Sequence, residues 1–409
     1  MMIDMNQLFS QQIDRRASDL HLKVGRPPLF RIAGEMVPVP GPPVTAETME
    51  DALKQVLGPH GVAKLKQEGE IDVAYMVQNV ARFRVNCFKR LGEWGMVARA
   101  IPFKPPTFEK MTMPAVLKDL LTAPQGMILI TGPTGSGKST TLACMIEHLN
   151  HTQPLHIVTI EDPVEFVYTD DKCEINQRQL GSDVASLREA LRRVLRQDPD
   201  VILLGEMRDQ DTIEMAMHAA ETGHLVLSTL HTNDAKQTLD RIIGIFPAEA
   251  RDHIRSMLSQ TLHAVVSQRL MRRAAGHGRV AAMEILVNTP NVKELIVEGK
   301  LGEIQKAMKE GGFYRMQTFN QAYAQLVQSN LITEEEAIKT SANANELQMM
   351  LRGILTGADA AAAAKAAGGP RPSTPAGSAP QPAPPPGVPP GQKPGGDTTR
   401  GGLKITRGF

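Results

Sequence analysis

The sequence is poor in the features that mark secreted, membrane-spanning and metal-clustering proteins. Only three cysteines occur in 409 residues, and Cys87, Cys144 and Cys173 lie far apart. Their spacing argues against a structural zinc site and favours reduced thiols in a cytoplasm-like compartment. No apolar run approaches the ~20 residues that a membrane-spanning helix needs, and the N-terminus lacks the apolar segment of a signal peptide. If the protein serves a membrane, we expect it to act from outside the lipid.

The sequence also has almost no net charge. Its 45 Lys and Arg residues nearly balance 44 Asp and Glu residues, which leaves a formal charge of +1. A protein without a large net positive charge does not attract nucleic acid by its overall charge, so no nucleic-acid partner is expected. The 42% of hydrophobic residues and the length of 409 residues instead indicate roughly two or three domains with ordinary cores.

The clearest motif lies at residues 127–141. The apolar residues 128–130 are typical of a strand buried on both faces. They lead into a run that fits GxxxxGK[ST] at every fixed position: Gly132, Pro133, Thr134, Gly135, Ser136, Gly137, Lys138 and Ser139. Thr140, which follows this run, is a further predicted nucleotide-binding residue. In such a P-loop the backbone N–H groups surround an anion, while Lys138 reaches the β- and γ-phosphates and Ser139 binds Mg²⁺. The sequence therefore predicts a site for a nucleoside triphosphate with Mg²⁺.

Polar residues follow three further predicted strands, at 157–161, 201–206 and 225–231. Ligands of open α/β sheets lie at the carboxyl ends of the strands, so Glu161, Glu206 and His231 should converge on the phosphates. Glu206 ends a Walker B-like strand and is a predicted Mg²⁺ ligand. Glu161, expected to leave its strand beside the P-loop strand, is the preferred water-polarising residue, with Glu206 as the alternative. His231 is placed to sense the γ-phosphate, whereas His224 at the other end of the strand is as readily structural.

The first hundred residues form a different kind of unit. Alternating patterns predict strands at 18–22, 29–32, 71–75, 81–88 and 95–101 with a helix at 45–68, which together make a small α+β domain. Prolines within 102–106 predict a hinge. Arg82, Arg84 and Arg99 lie on its last strands: they either form a solvated basic face or reach a phosphate held by the other domain or by a neighbouring subunit. Arg82 and Arg84 share a strand face, which favours them as a pair.

The remaining segments are predicted to be structural. A helix at 184–196 carries an arginine stripe that we expect to be solvated or subunit-facing. A second helix is predicted at 209–221, and helices at 293–308 and 319–326 should serve packing. Beyond residue 357 the chain is dense in Pro, Gly and Ala and should be disordered. The predicted organisation is an N-terminal domain at 1–101, a linker at 102–116, an ATPase domain at 117–357 and a tail at 358–409.

Taken together, the motifs resemble those of one family. TIEDPVEF at 159–166 resembles an Asp box, LLGEMRD at 203–209 a Walker B region and TGHLVLSTLHT at 222–232 a His box. With RFRVNCF at 82–88, these are similar to the secretion ATPases of type IV pilus and type II secretion machines. SDLHL at 18–22 and MQTFNQA at 316–322 are closest to the PilT/PilU-type pilus retraction ATPases. The resemblance covers roughly residues 1–355.

This resemblance implies an α/β fold with a PAS-like N-terminal domain followed by a RecA-like P-loop ATPase domain, assembled into a homohexamer. ATP would bind between the domains, with the P-loop, Glu161, Glu206 and His231 in the roles given above. Arg82, Arg84 and Arg99 would act as arginine fingers. The implied activity is ATP hydrolysis that powers pilus retraction and twitching motility. The implied location is cytoplasmic, peripheral at the inner membrane, with the platform protein and a paralogous retraction ATPase as candidate partners and the pilin fibre as an indirect one.

The sequence leaves several alternatives open. Residues 291–298 keep the apolar spacing of a helix motif of the retraction ATPases but not its sequence, which leaves an accessory, PilU-like motor as an alternative to the principal one. Assembly-type relatives usually carry an extra N-terminal domain and often a four-cysteine insertion, so a pilus assembly or type II secretion ATPase is less favoured. A RecA-like nucleic-acid translocase would share the P-loop sheet, and stimulation of hydrolysis by DNA would identify it. A nucleotide-binding regulator without turnover is disfavoured by intact Lys138, Glu161 and Glu206.

Overall fold

A computed structural model describes residues 3–32, 34–78, 80–101 and 105–353. The predicted tail at 358–409 and residues 102–104 of the predicted linker lie outside these ranges. The described chain contains two β-sheets, one on each side of the predicted linker.

The first sheet is antiparallel throughout. Its elements are α1 (Met5–Asp14), β1 (Asp19–Lys23), β2 (Leu29–Ile32), β3 (Glu35–Pro38), α2 (Ala46–Glu68), β4 (Glu70–Val77), β5 (Ala81–Arg90) and β6 (Glu93–Ile101). The described strands are ordered β3-β2-β1-β6-β5-β4. Every strand predicted in this region is present, and β3, which is exposed along its length, is an addition.

Two helices pack on this sheet and complete its core. Phe9 of α1 stacks on Phe83 of β5 with ring centroids 4.3 Å apart. The Thr45 hydroxyl accepts the Thr48 N–H at the start of α2, as a helix N-cap does. Gly69, with φ 82°, ends the helix after Glu68, so the predicted helix at 45–68 is confirmed. It is kinked at Gly58, whose φ of 65° is not helical, and Pro59 follows.

The second sheet is mostly parallel. Its elements are α3 (Phe108–Met111), α4 (Val116–Leu120), β7 (Gly126–Thr131), α5 (Lys138–Thr152), β8 (His156–Glu161), β9 (Glu174–Gln179), α6 (Leu187–Val194), β10 (Val201–Leu204), α7 (Gln210–Glu221), β11 (Leu225–Leu230), α8 (Ala235–Gly244), α9 (Arg251–Thr261), β12 (Leu262–Arg272) and β13 (Arg279–Val287). The described strands are ordered β13-β12-β7-β11-β10-β8-β9. Only the β12–β13 pair is antiparallel among them.

The central strand β7 is buried on both faces, as the apolar run predicts. Met127 and Leu129 belong to one apolar cluster, while Ile128 and Ile130 belong to another on the opposite face. All four side chains are fully inaccessible to solvent. Helices therefore cover the sheet on both sides, and the P-loop that follows β7 starts from a rigid base.

Three local predictions are wrong. Strand β8 does not lie beside β7, because β11 and β10 intervene, so Glu161 does not leave its strand next to the P-loop strand. Crossover connections make the order in the sheet differ from the order along the chain. Strand β10 ends at Leu204, so Glu206 stands two residues beyond it. Helix α6 begins at Leu187 rather than at residue 184, since Val184 forms a bridge with Leu180 and Ser186 caps the helix.

Short helices complete the described chain: α10 (Pro290–Val297), α11 (Ile304–Glu310), α12 (Phe319–Gln328), α13 (Glu334–Thr340) and α14 (Ala344–Leu351). The predicted helix at 293–308 is interrupted by Gly299 at φ 72° and by a 3₁₀ turn, Leu301–Glu303. Helix α12 confirms the prediction at 319–326. It packs on the β12–β13 hairpin, where the Arg269 guanidinium lies 4.1 Å from the Phe319 ring centroid.

Candidate nucleotide site

The P-loop connects β7 to α5 and has the backbone that its glycines predict. Gly132, Gly135 and Gly137 have φ values of 144°, 77° and 91°, a region that side chains strongly disfavour. Lys138 begins α5, and its Nζ donates to the carbonyl oxygens of Gly132 at 2.8 Å and Pro133 at 3.2 Å. The ammonium group thus lies inside the curl of the loop, where it would meet an anion held by the loop amides.

A cavity of about 820 Å³ opens at this loop. The loop and α5 line one side of it, and residues that follow β8, β10 and β11 line the other. The predicted residues that line it are Thr134, Gly135, Gly137, Lys138, Ser139, Thr140, Glu161, Glu206, His231 and Arg84. The carboxyl ends of separate parallel strands therefore meet around one space, as they do in other open α/β sheets.

A line of charged and polar side chains crosses this cavity. His231 stands between Lys138, whose Nζ lies 3.4 Å from Nδ1, and Glu206, whose Oε2 lies 3.3 Å from Nε2. The same Glu206 oxygen pairs with Arg208 at 2.8 Å. Burial lowers the pKa of Lys138, and the nearby carboxylates of Glu206 and Glu165 oppose that effect. The arrangement links the phosphate-binding lysine to the carboxylate of Glu206 through one imidazole.

Glu161, the last residue of β8, lines the same cavity in a different environment. Its Oε1 accepts hydrogen bonds from the Thr159 hydroxyl at 2.7 Å and from the Gln177 amide at 3.2 Å. Burial raises the pKa of this carboxyl group above its ordinary value, while these two donors and the backbone N–H of Glu165 act in the opposite direction. Unlike Glu206, Glu161 has no basic side-chain partner among the described contacts.

A buried glutamine on β12 braces the P-loop from behind. Gln268, 2% exposed, donates from Nε2 to the Ser136 carbonyl at 2.7 Å and accepts the Thr141 hydroxyl at 2.7 Å. A Cβ at Gly137 would lie 2.8 Å from the same Nε2, and a Cβ at Gly132 would lie 2.4 Å from the Gln268 backbone oxygen. Two of the loop glycines therefore allow β12 to approach closely.

The N-terminal arginines divide into two groups. Arg84 lines the cavity and pairs with Asp72 at 3.4 Å. Arg82, on the same strand face, instead donates to Gln179 of β9 at 2.9 Å, and Arg99 pairs with Asp19 at 2.9 Å. Within one chain, the structure thus brings Arg84 to the cavity but not Arg82 or Arg99.

His224 and the arginine stripe, for which structural roles were predicted, do not line the cavity. His224 approaches the Ala219 carbonyl oxygen at 2.9 Å and so belongs to the end of α7. Arg188 and Arg192 of α6 and Arg196, two residues beyond its end, are exposed, and Arg188 pairs with Asp211 at 2.7 Å. Among the described residues, no group of three or more His, Cys, Asp or Glu side chains is arranged to hold a metal ion.

Several residues of the site were not predicted from the sequence, and four of them are basic or amide side chains. Arg208 and Arg279 line the cavity, while Gln177 and Gln268 support it from behind. Arg208 could have been predicted, because it stands two residues after Glu206 in the Walker B-like segment. The other three depend on β9 and on the β12–β13 hairpin, whose pairing has no local signature in the sequence.

Comparison with known proteins identifies the wider group. The family model described as type II/IV secretion system protein matches residues 1–362. The chain is 44% identical over 335 residues to the type IV pilus retraction ATPase PilT of Pseudomonas aeruginosa, covering 82% of this chain and 97% of that one. A twitching motility protein of Neisseria gonorrhoeae is 45% identical over 320 residues, covering 78% and 86%. The type IV pilus ATPase PilU of Pseudomonas aeruginosa is 37% identical over 350 residues, covering 86% and 92%.

A solved structure has the same fold. The crystal structure of the pilus retraction motor PilT with bound ADP superposes with a TM-score of 0.79 at 41% identity, covering 85% of this chain and 100% of that one. The mixed α/β architecture described above is therefore the architecture of a protein that binds a nucleotide.

Proposed function

The chain belongs to the type II/IV secretion system protein family, and we propose that it is a motor ATPase that powers type IV pilus retraction and, through it, twitching motility. The observation that carries the proposal is that Lys138, His231, Glu206 and Glu161 line one cavity, which opens at an intact P-loop. The relatives with 44 and 45% identity, a pilus retraction ATPase and a twitching motility protein, support the same activity for this chain.

ATP is the proposed substrate, with its phosphates on the P-loop. The backbone N–H groups of the loop at 132–140, which Pro133 lacks, would hold the β- and γ-phosphates, and Lys138 would turn from the carbonyl oxygens of its own loop to the phosphate oxygens. The Ser139 hydroxyl and the Glu206 carboxylate fit a Mg²⁺ ion, since both are oxygen donors that line this cavity. Bound Mg²⁺ would neutralise phosphate charge that develops during transfer.

The geometry favours separate roles for the two glutamates. Glu206 shares one oxygen between His231 and Arg208, so its charge is already engaged. Glu161 has no cationic partner among the described contacts, and burial raises its pKa, which suits it to accept a proton from water. In this proposal Glu161 orients the attacking water, whereas Glu206 binds the metal ion and contacts His231. His231 would report loss of the γ-phosphate, because it contacts both Lys138 and Glu206.

The arginines suggest an assembly. Arg84 lines the cavity of its own chain, where it pairs with Asp72, whereas Arg82 and Arg99 contact Gln179 and Asp19 away from it. For all three to act as arginine fingers, the PAS-like N-terminal domain at 1–101 would have to move relative to the RecA-like ATPase domain at 117–357, or serve a neighbouring subunit. A homohexameric ring with ATP between domains satisfies this requirement.

The proposed setting is the cytoplasmic face of the inner membrane. There the ring would engage the platform protein of the pilus and, through it, the pilin fibre. No helix within the described ranges is both long enough and apolar enough to cross a membrane. The proposed attachment is peripheral.

The proposal is tested by pilus retraction in cells that lack this protein. We expect hyperpiliated, non-retracting cells that are rescued by the wild type but not by Glu206→Ala. Glu249→Ala is the matched control, since Glu249 is exposed and does not line the cavity. Fibres that still retract without the protein would assign it to the accessory, PilU-like role. Cells that form no fibres at all would contradict retraction and support an assembly ATPase.

A further inference from the structure

The carboxylate of Glu161 is held from behind by two side chains that do not line the cavity. Thr159 lies two residues before Glu161 on β8, on the same strand face, and is fully buried. Gln177 is the direct cross-strand neighbour of Thr159 on β9. Both donate to the same oxygen, Oε1, at 2.7 Å and 3.2 Å, and neither uses Oε2.

Gln177 also fixes the cavity wall beside Glu161. Its Nε2 donates to the Phe166 carbonyl at 2.8 Å, and its Oε1 accepts the Tyr168 N–H at 3.0 Å. Phe166 and Tyr168 both line the cavity, as Glu161 does. One amide on an edge strand therefore ties the carboxylate to the backbone of the segment that follows it.

We propose that Thr159 and Gln177 are the positioning pair of the hydrolysis reaction: they anchor Glu161 through Oε1 and so direct Oε2 toward the attacking water. The inference rests on the proposed role of Glu161. A carboxylate with two donors on one oxygen cannot rotate without breaking both bonds, and a buried acceptor is costly to leave unpaired. Neither residue touches the cavity, so neither is a catalytic residue.

Substitutions of Thr159 and Gln177 should change kcat and KM in different ways. Thr159→Val keeps the shape of the side chain and removes only the donor, so kcat should fall roughly ten- to a hundredfold, as expected for a hydrogen bond to a charged group. The KM for ATP should stay within about twofold, because Thr159 does not contact the nucleotide cavity. Thr159→Ser restores the hydroxyl and should restore kcat. Gln177→Met should lower kcat and also raise KM, because it releases Phe166 and Tyr168 as well.

The experiment is steady-state ATP hydrolysis by the full-length protein. Thermal unfolding and binding of fluorescently labelled ADP establish that each variant is folded and loaded. We expect the double variant Thr159→Val with Gln177→Met to lose less than the product of the single losses, since both act on one carboxylate. An unchanged kcat in Thr159→Val would overturn the inference. Equal loss in Thr159→Ser and Thr159→Val would do the same, because it would assign the effect to packing.

Failure of this inference can be told apart from failure of the role proposed for Glu161 and of the proposed function, because a wild type that hydrolyses no ATP would contradict the proposed function itself. If the wild type hydrolyses ATP and Glu161→Gln does not, while Thr159→Val is fully active, only the positioning pair is wrong. If the Glu161→Gln variant hydrolyses ATP like the wild type, the proposed role of Glu161 is itself wrong, and the positioning pair falls with it.

Discussion

Glu284 should make the stability of this protein depend on pH. This β13 side chain is only 3% exposed, and its Oε1 accepts the Ala235 N–H at 2.8 Å, at the start of the helix that follows the His231 loop. Burial raises its pKa from an ordinary 4.5 to about 7; the Ala235 amide lowers it, and the neighbouring Asp234 raises it further. The folded protein therefore carries a carboxyl group that resists ionisation.

The sign of the effect follows from proton linkage. In the unfolded chain Glu284 releases its proton near pH 4.5, whereas in the folded chain it does so near pH 7. Between these values the folded state binds more protons, so the free energy of unfolding falls as pH rises. The difference between the two pKa values corresponds to about 3 kcal/mol, fully expressed above pH 7. Glu284→Gln cannot ionise and keeps an oxygen for the Ala235 amide.

We therefore expect Glu284→Gln to unfold like the wild type near pH 4.5 and to be more stable by up to about 3 kcal/mol at pH 8. Urea unfolding of both proteins across this range measures the difference. Glu249→Gln, at an exposed position, serves as the control. Stability curves for wild type and Glu284→Gln that run parallel from pH 4.5 to pH 8 would refute the reasoning.

Three further predictions concern other parts of the chain. Gln268→Met should weaken ADP binding about tenfold while leaving the fold intact, because it removes both bonds that brace the P-loop; an unchanged affinity by fluorescence titration would contradict the brace. Burial raises the pKa of Cys87 and Cys144 to about 12 and also raises the pKa of Cys173. None of these three thiols should therefore react quickly with a thiol reagent at pH 8 in the native protein, and all three should react in denaturant. Arg269→Met should lower stability by about 1–2 kcal/mol by removing the contact with Phe319 and the bond to the Tyr323 hydroxyl. It should leave ADP affinity unchanged, and weakened ADP binding would argue against a purely structural Arg269.

The sequence predicted those parts of the site that depend on local chemistry. The P-loop needs glycines, a lysine and a hydroxyl at fixed positions, so its strand, loop and helix follow from consecutive residues. Glu161, Glu206 and His231 each follow an apolar strand, and parallel strands bring such ends together whatever their order. The predicted convergence on one cavity is therefore correct, although the predicted adjacency of β8 and β7 is wrong.

The parts that could not be predicted depend on pairing between distant segments. Strand β9 is polar and only partly buried, so it lacks the apolar signature of its neighbours, yet it supplies Gln177 and Gln179. Strand β12 lies beside β7 although more than a hundred residues separate them. The positions of Arg82 and Arg99 also follow from partners in other strands, Gln179 and Asp19, which no spacing rule connects to them.

The close approach of β12 to the P-loop has an evolutionary consequence. A glycine at position 132 is ordinarily ascribed to the nucleotide, but here a side chain would collide with backbone oxygen of Gln268, and no replacement of the Gln268 side chain could relieve that collision. Position 132 would therefore remain glycine in a descendant that had lost ATP hydrolysis but kept this strand order. This glycine is required by the packing of the sheet, whereas Lys138 and Glu161 are required by the chemistry. Once hydrolysis was lost, Lys138 and Glu161 could be substituted, but the glycine could not.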